Sequence, residues 1–237
     1  MMENELQKYF LGQELPQNAE AIGELFQNAK KFSDLLMMYQ CAIREVRTKF
    51  EILNDDLSLH NNRNPIEMIK SRVKRPPSIL EKMKRRGWEL SIPSILENLN
   101  DVAGVRVICS FVDDIYNVAE MFTRQDDVTV LEVKDYIKNP KPNGYRSYHM
   151  IVEIPVFFAH RKQNVKVEVQ LRTIAMDFWA SLEHGMKYKK DMPNAEELIS
   201  ELKDCADIIA ATDLRMQSLN ERIHTENTEY EKTGISN

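Results

Sequence analysis

Val165-Lys166-Val167-Glu168-Val169-Gln170-Leu171-Arg172 alternates apolar and polar side chains from end to end. A repeat of two belongs to an extended strand, so Val165, Val167, Val169 and Leu171 share one face and Lys166, Glu168, Gln170 and Arg172 the other. The apolar face meets a core. The charged face, a glutamate among bases, is either an active-site floor or a solvated sheet surface, and solvated charge arrays are common.

Outward from this strand the pattern changes period repeatedly. Ser147–Ile154 reads as an antiparallel partner across the Pro155–Asn164 connection, and Thr173–His184 as a helix carrying Ile174, Phe178, Trp179 and Leu182. Upstream, Val102–Phe111 and Val128–Tyr136 read as strands. Between them Asp114–Arg124 reads as an amphipathic helix with Ile115, Val118, Ala119 and Phe122 on one side. Asn139-Pro140-Lys141-Pro142-Asn143-Gly144 is a loop by its turn chemistry, and Ser78–Arg86 a short basic helix closed by Gly87. Interleaved strands and helices predict an α/β (α+β) fold.

Both ends of the chain read as long helices. Leu25, Ala29, Phe32, Leu36, Tyr39, Ile43, Val46, Phe50, Leu53 and Leu57 alternate in steps of four and three, a stripe along one helix over roughly residues 18–59. Leu198, Leu202, Cys205, Ile209, Thr212, Met216, Leu219 and Ile223 repeat the spacing, with Asn194 and Glu197 as a capping box. Such stripes suit packing on the chain's own core or pairing between subunits. The expected organisation is a helical extension (1–60), a catalytic domain (61–192), a C-terminal helix (193–224) and a polar, frayed tail (225–237).

Composition narrows the class. At 237 residues and 43% hydrophobic, the chain can bury a sizeable core, and its net charge of −5 argues against a general nucleic-acid binder. An anion site must therefore come from local basic clustering. The widely spaced Cys41, Cys109 and Cys205 suggest neither a disulfide framework nor a zinc site. No signal-like or membrane-spanning run is evident, so a cytoplasmic location without membrane contact is expected.

Four features could carry chemistry. Glu168 is the first; Asp101, at the entrance to the Val102 strand, is the second. Together they could hold Mg²⁺, which favours one or two carboxylates with phosphate and water, though Asp101 also reads as a turn residue. The third is the cluster Arg72, Lys74, Arg75, Lys82, Lys84, Arg85 and Arg86, in which Ser78, Lys82 and Arg85 share one helical face near a Pro76-Pro77 helix start. It suits a polyphosphate, RNA or plain solvent. The fourth is Lys141–His149, where Tyr145 could stack on a base while Lys141, Asn143 and His149 reach phosphates or sugar; packing at a strand start is the alternative. No P-loop and no G-x-G-x-x-G is present.

Taken in order, Ser71-Arg72-Val73-Lys74, Ser78-Ile79, Asp101–Arg106, Lys134–Ile137, Pro140–His149, Glu168–Thr173 and Ala175–His184 resemble the synthetase domain of the RelA/SpoT family. The resemblance spans roughly Asn64–Lys190 and is strongest to the small, single-domain members, nearer the RelP-like than the RelQ-like group. It implies a nucleotidyltransferase-like mixed sheet of about five strands flanked by helices. It further implies a (p)ppGpp synthetase of the stringent response, moving pyrophosphate from ATP to the 3′-OH of GDP or GTP and releasing AMP, with Mg²⁺ as cofactor.

Residue by residue, the resemblance makes Asp101 a metal ligand and Glu168 a metal ligand and the activator of the 3′-hydroxyl. Arg72 and Arg106 would sandwich the adenine, while Lys74, Ser78, Lys82 and Arg85 would hold ATP phosphates. Tyr145 would stack on guanine, with Lys134, Lys141, Asn143 and His149 lining the acceptor's phosphates. Small members pair through their terminal helices into homotetramers. Met68, Lys70 and Asp177 stand where alarmone-activated members carry other residues, which predicts the non-activated subgroup; Gly185 stands where a Lys is usual. With no His-Asp motif, no hydrolase activity is expected.

Overall fold

The structure, a computed structural model, describes residues 19–61, 64–186 and 195–233. The first helix, α1 (Ala19–Asn61), buries the expected stripe: Phe32, Leu36, Tyr39, Ile43, Val46 and Phe50 turn inward. Ala29, Leu53 and Leu57 are half-buried, while the Leu25 side chain lies outside the described residues. The helix lies across the chain's own sheet, against β1, β2, β4 and β5, so its stripe is spent on the internal core.

The remaining elements are β1 (Ile66–Val73), α2 (Pro76–Arg86), α3 (Ile92–Asn98), β2 (Ala103–Cys109), α4 (Val112–Thr123), β3 (Thr129–Asp135), β4 (Tyr148–Phe157), β5 (Lys162–Thr173), α5 (Ile174–Met186) and α6 (Ala195–Thr233). The sheet has five strands in the order β1-β2-β5-β4-β3. Its central pair, β2 and β5, is parallel; every other pair is antiparallel. This is the mixed α+β sheet the sequence predicts. The apolar side of the opening octapeptide joins one core with α1 and α4, where Phe50 stacks on Phe122 at a centroid distance of 4.3 Å.

Several details differ from the sequence reading. The strand β1 was not foreseen, because its exposed Glu67, Met68, Lys70 and Arg72 break any period of two. It is an edge strand with one neighbour, where charges guard open backbone groups. Helix α3 was also missed; Ser91 caps it by accepting from the Ser94 N–H. The β4–β5 hairpin extends beyond the expected limits on both strands, shrinking the connection to Phe158–Arg161. At the C-terminus α6 runs to Thr233 rather than fraying after His224; Glu and Lys are good helix formers, so a polar run does not end a helix.

The C-terminal stripe is corrected too. In α6 the buried residues are Ala206, Ala210 and Asp213, one step round from the expected line, while Leu198, Met216, Leu219 and Ile223 are exposed. Small side chains win the inner face because α6 comes close to the 139–147 loop: a Cβ built on Gly144 would stand 2.5 Å from the Ala206 Cβ. Asn194, the expected cap, lies outside the described residues. Gly185 lies exposed within α5 with open space around it. No disulfide joins any of the three cysteines. Among the described residues no helix is long and apolar enough to cross a membrane.

Candidate active site

Strand pairing gathers residues far apart in sequence into rows on the polar face. One row reads Lys70, Arg106, Gln170, His149 and Lys134, each paired with the next across the sheet. Two residues along, the adjacent row reads Arg72, Gly104, Glu168, Ile151 and Glu132. At Gly104 a side chain is missing between Arg72 and Glu168, and the floor opens there. The result is a polar cavity of about 220 Å³ lined by Arg72, Asp101, Gly104, Arg106, Glu168 and Gln170 among others. A larger apolar groove of about 820 Å³ lies elsewhere, between α5 and α6, away from this concentration of charge.

Asp101 sits just before β2 and is held by Lys74, which follows β1, at 2.7 Å and by Lys82 of α2 at 2.9 Å. It is an ion-paired carboxylate, not a turn residue. Burial opposes its ionisation, but the two ammonium groups outweigh this and hold its carboxyl below the usual value. The Lys82 contact is ionic rather than directional, since Asp101 Oδ1 is buried with no donor aligned on it. Glu168 accepts from Gln170 Nε2 at 3.0 Å and stands 3.6 Å from His149 Nδ1, longer than a well-formed hydrogen bond. Burial pushes its pKa up, and His149 and Gln170 more than reverse that, so it is ionised at neutral pH.

The residues that the resemblance assigns to the acceptor nucleotide form a second cluster. Tyr145 Oη accepts from Arg172 Nη2 at 2.6 Å and lies within hydrogen-bond distance of His149 Nε2, at 2.8 Å. Burial, reinforced by nearby Arg172 and Lys141, lowers the His149 pKa despite Glu168, and the ring is neutral at pH 7. Lys141 Nζ lies over the rings of Tyr145 and Tyr136, at 4.6 and 4.5 Å. Asn143 shapes the loop, accepting from the Tyr145 N–H and donating to Glu183. Lys134 pairs with Glu132 at 2.8 Å at the outer end of its row.

The sequence-derived residues thus separate. Arg72, Asp101, Arg106 and Glu168 share the cavity, with Lys74 and Lys82 attached through Asp101. Tyr145, His149 and Lys141 form the adjoining cluster. Ser78 and Arg85 stay on the Lys82 side of α2 and do not line the cavity. Sequence reading gave no role to Arg172, Gln170 or Tyr136, although the alternation of the octapeptide already put Arg172 and Gln170 on the Glu168 face.

Asp101 and Glu168 also fit a divalent cation. Both line one cavity, and the buried Asp101 oxygen without an aligned donor is an open lone pair beside it. Among the described residues no set of three or more His, Cys, Asp and Glu is assembled. The donor set is that of a metal completed by phosphate and water, which suits Mg²⁺ and not zinc.

Two carboxylates in one cavity rimmed by Lys70, Arg72 and Arg106 on a mixed sheet suit an α+β protein that handles a polyphosphate. Comparison with known proteins makes this specific. Residues 71–193 match the region found in RelA / SpoT proteins. The chain is 45% identical over 188 residues to the GTP pyrophosphokinase YwaC of Bacillus subtilis, covering 79% of this chain and 90% of that protein. The structure of small alarmone synthetase 2 from B. subtilis superposes with a TM-score of 0.72 at 44% identity, over 81% of this chain and 98% of that one. That of B. subtilis small alarmone synthetase 1, bound to its product pppGpp, gives 0.74 at 35% identity, over 82% and 99%. The chain belongs to the RelA/SpoT family.

Proposed function

We propose that this protein is a small alarmone synthetase: a GTP pyrophosphokinase that transfers pyrophosphate from ATP to the 3′-OH of GDP or GTP, releasing AMP, in the stringent response. The observation that carries this is the meeting of Asp101 and Glu168 in one cation-rimmed cavity on a chain 45% identical to a GTP pyrophosphokinase.

Arg72 and Arg106 take the adenine, with Lys74 and Lys82 turning from Asp101 towards the ATP phosphates. Ser78 and Arg85 extend that cationic side along α2. Tyr145 stacks on guanine, held upright by Arg172, while Lys134, Lys141, Asn143 and His149 line the acceptor's phosphates. Glu168, already ionised, accepts the 3′-hydroxyl proton; the oxygen attacks the β-phosphorus, the bond from that phosphorus to the α–β bridging oxygen breaks, and AMP departs with that oxygen. Asp101 and Glu168 would hold Mg²⁺, which would neutralise phosphate charge there.

The exposed apolar residues of α6 support assembly as a homotetramer through the terminal helices. Lys70 is paired with Asp177 at 3.0 Å, so neither is a free alarmone ligand, which favours the non-activated subgroup. A cytoplasmic location completes the reading.

The test is radiolabel transfer from β-labelled ATP to GDP or GTP, with Mg²⁺ and with EDTA. Label in a 3′-pyrophosphorylated guanosine nucleotide, lost with EDTA and restored by Mg²⁺, is expected. No labelled product with any acceptor overturns the reading.

A further inference from the structure

Asp177 sits on the first turn of α5, 8% exposed, facing the polar side of the sheet. Its Oδ1 takes both Arg106 Nη1 at 3.0 Å and Arg172 Nη1 at 3.2 Å, and its Oδ2 takes Lys70 Nζ at 3.0 Å. The guanidinium groups lie on neighbouring strands and repel: the charge of Arg172, after burial, depresses the pKa of Arg106, and Asp177 acts against both. Without a shared anion these cations would separate or draw in solvent. Yet each faces different business. Arg106 lines the donor cavity, whereas Arg172 points its other nitrogen at Tyr145 Oη, 2.6 Å away, and stands 5.1 Å from that ring's centroid.

Resting on the functional reading above, we propose that Asp177 is a positioning residue that yokes the two nucleotide subsites. One carboxylate oxygen fixes the arginine of the ATP side and, through Arg172, the tyrosine of the acceptor side. Its side chain does not line the cavity that holds Asp101 and Glu168. Its loss is therefore felt in the binding of both substrates and much less in the transfer step.

The test compares wild type with Asp177→Asn in steady-state kinetics, varying ATP and GDP in turn at saturation of the other. Loss of a charged hydrogen bond at each arginine raises both KM values by about tenfold, with kcat within about threefold. Asp177→Glu, which keeps the charge, restores part of both. A rise in only one KM, both KM values within twofold of wild type, or a fall confined to kcat overturns the proposal. Circular dichroism and melting report whether Asp177→Asn folds. If it does not, Asp177→Ser replaces it, read in the same two KM values and by the same criteria. Wild-type protein that makes no 3′-pyrophosphorylated product refutes the functional reading itself, an outcome separate from all of these.

Discussion

Replacing Glu168 with Gln isolates the proposed proton acceptor with little disturbance of shape. The introduced amide has nearly the volume of the carboxylate, and its carbonyl can still accept from Gln170 Nε2, 3.0 Å away in the native site. The amide cannot take a proton and is a poor ligand for a hard cation. Loss of a positioned general base costs about 10²–10⁴ in rate, and weaker metal binding acts in the same direction, so kcat falls by about 10³ or more. Stability changes much less. The native carboxyl is held below its ordinary value of 4.5, so the folded state favours the charged form at neutral pH, and the variant loses that preference. With the side chain 23% exposed, about 1 kcal/mol is at stake, or about 2–4 °C in melting temperature for a chain of this size. Anion-exchange separation of nucleotides gives the rate, and a thermal melt gives the fold. Turnover within about tenfold of wild type, from protein that melts normally, would refute the role of Glu168.

Three further outcomes follow from the geometry. His149 has a folded pKa below 6.5, so on acidification the unfolded chain takes up its proton first; the stability it contributes is full above 6.5 and is lost as pH falls through the folded value. Urea unfolding at about pH 7.5 and 5.5 should show this loss shrinking in His149→Asn. Gly144→Ala places a Cβ 2.5 Å from that of Ala206 at a backbone φ of +85°, so a destabilisation of about 2–4 kcal/mol is expected, read as a lower melting temperature and a raised acceptor KM. Phe50→Ala empties a fully buried site stacked on Phe122 and should cost about 3–5 kcal/mol in denaturant unfolding.

What could be read in advance depended on how local each cause is. Periodicity reports one face of one element, so the octapeptide around Glu168 and the stripe from Phe32 to Phe50 were legible, their burial being continuous. Strand β1 was illegible because an edge strand exposed on most positions carries no such pattern. The same period exposed the candidate face but could not say what stands opposite. Lys70 and Asp177 meet across 107 positions, and Gly144 meets Ala206 only because α6 folds back over the loop. The inner face of α6 misled for a related reason: close approach selects alanine, so the larger apolar residues turn outward. Family motifs supplied Asp101 and Tyr145 with roles, but not the Arg172 and Asp177 contacts behind them.

Helix α1 bears on where this protein can be divided. The segment by which the family is recognised begins at residue 71, yet Leu36, Tyr39, Val46 and Phe50 belong to the same core as Val105, Val167 and Leu171. Cut at the motif boundary, the sheet would carry the side chains of the proposed site and a bare hydrocarbon back. In water that back would seek another molecule's, and the excised piece would be recovered as aggregate, with its polar face intact and useless. For this architecture, a safe border for truncation, fusion or grafting is drawn by following oil rather than letters.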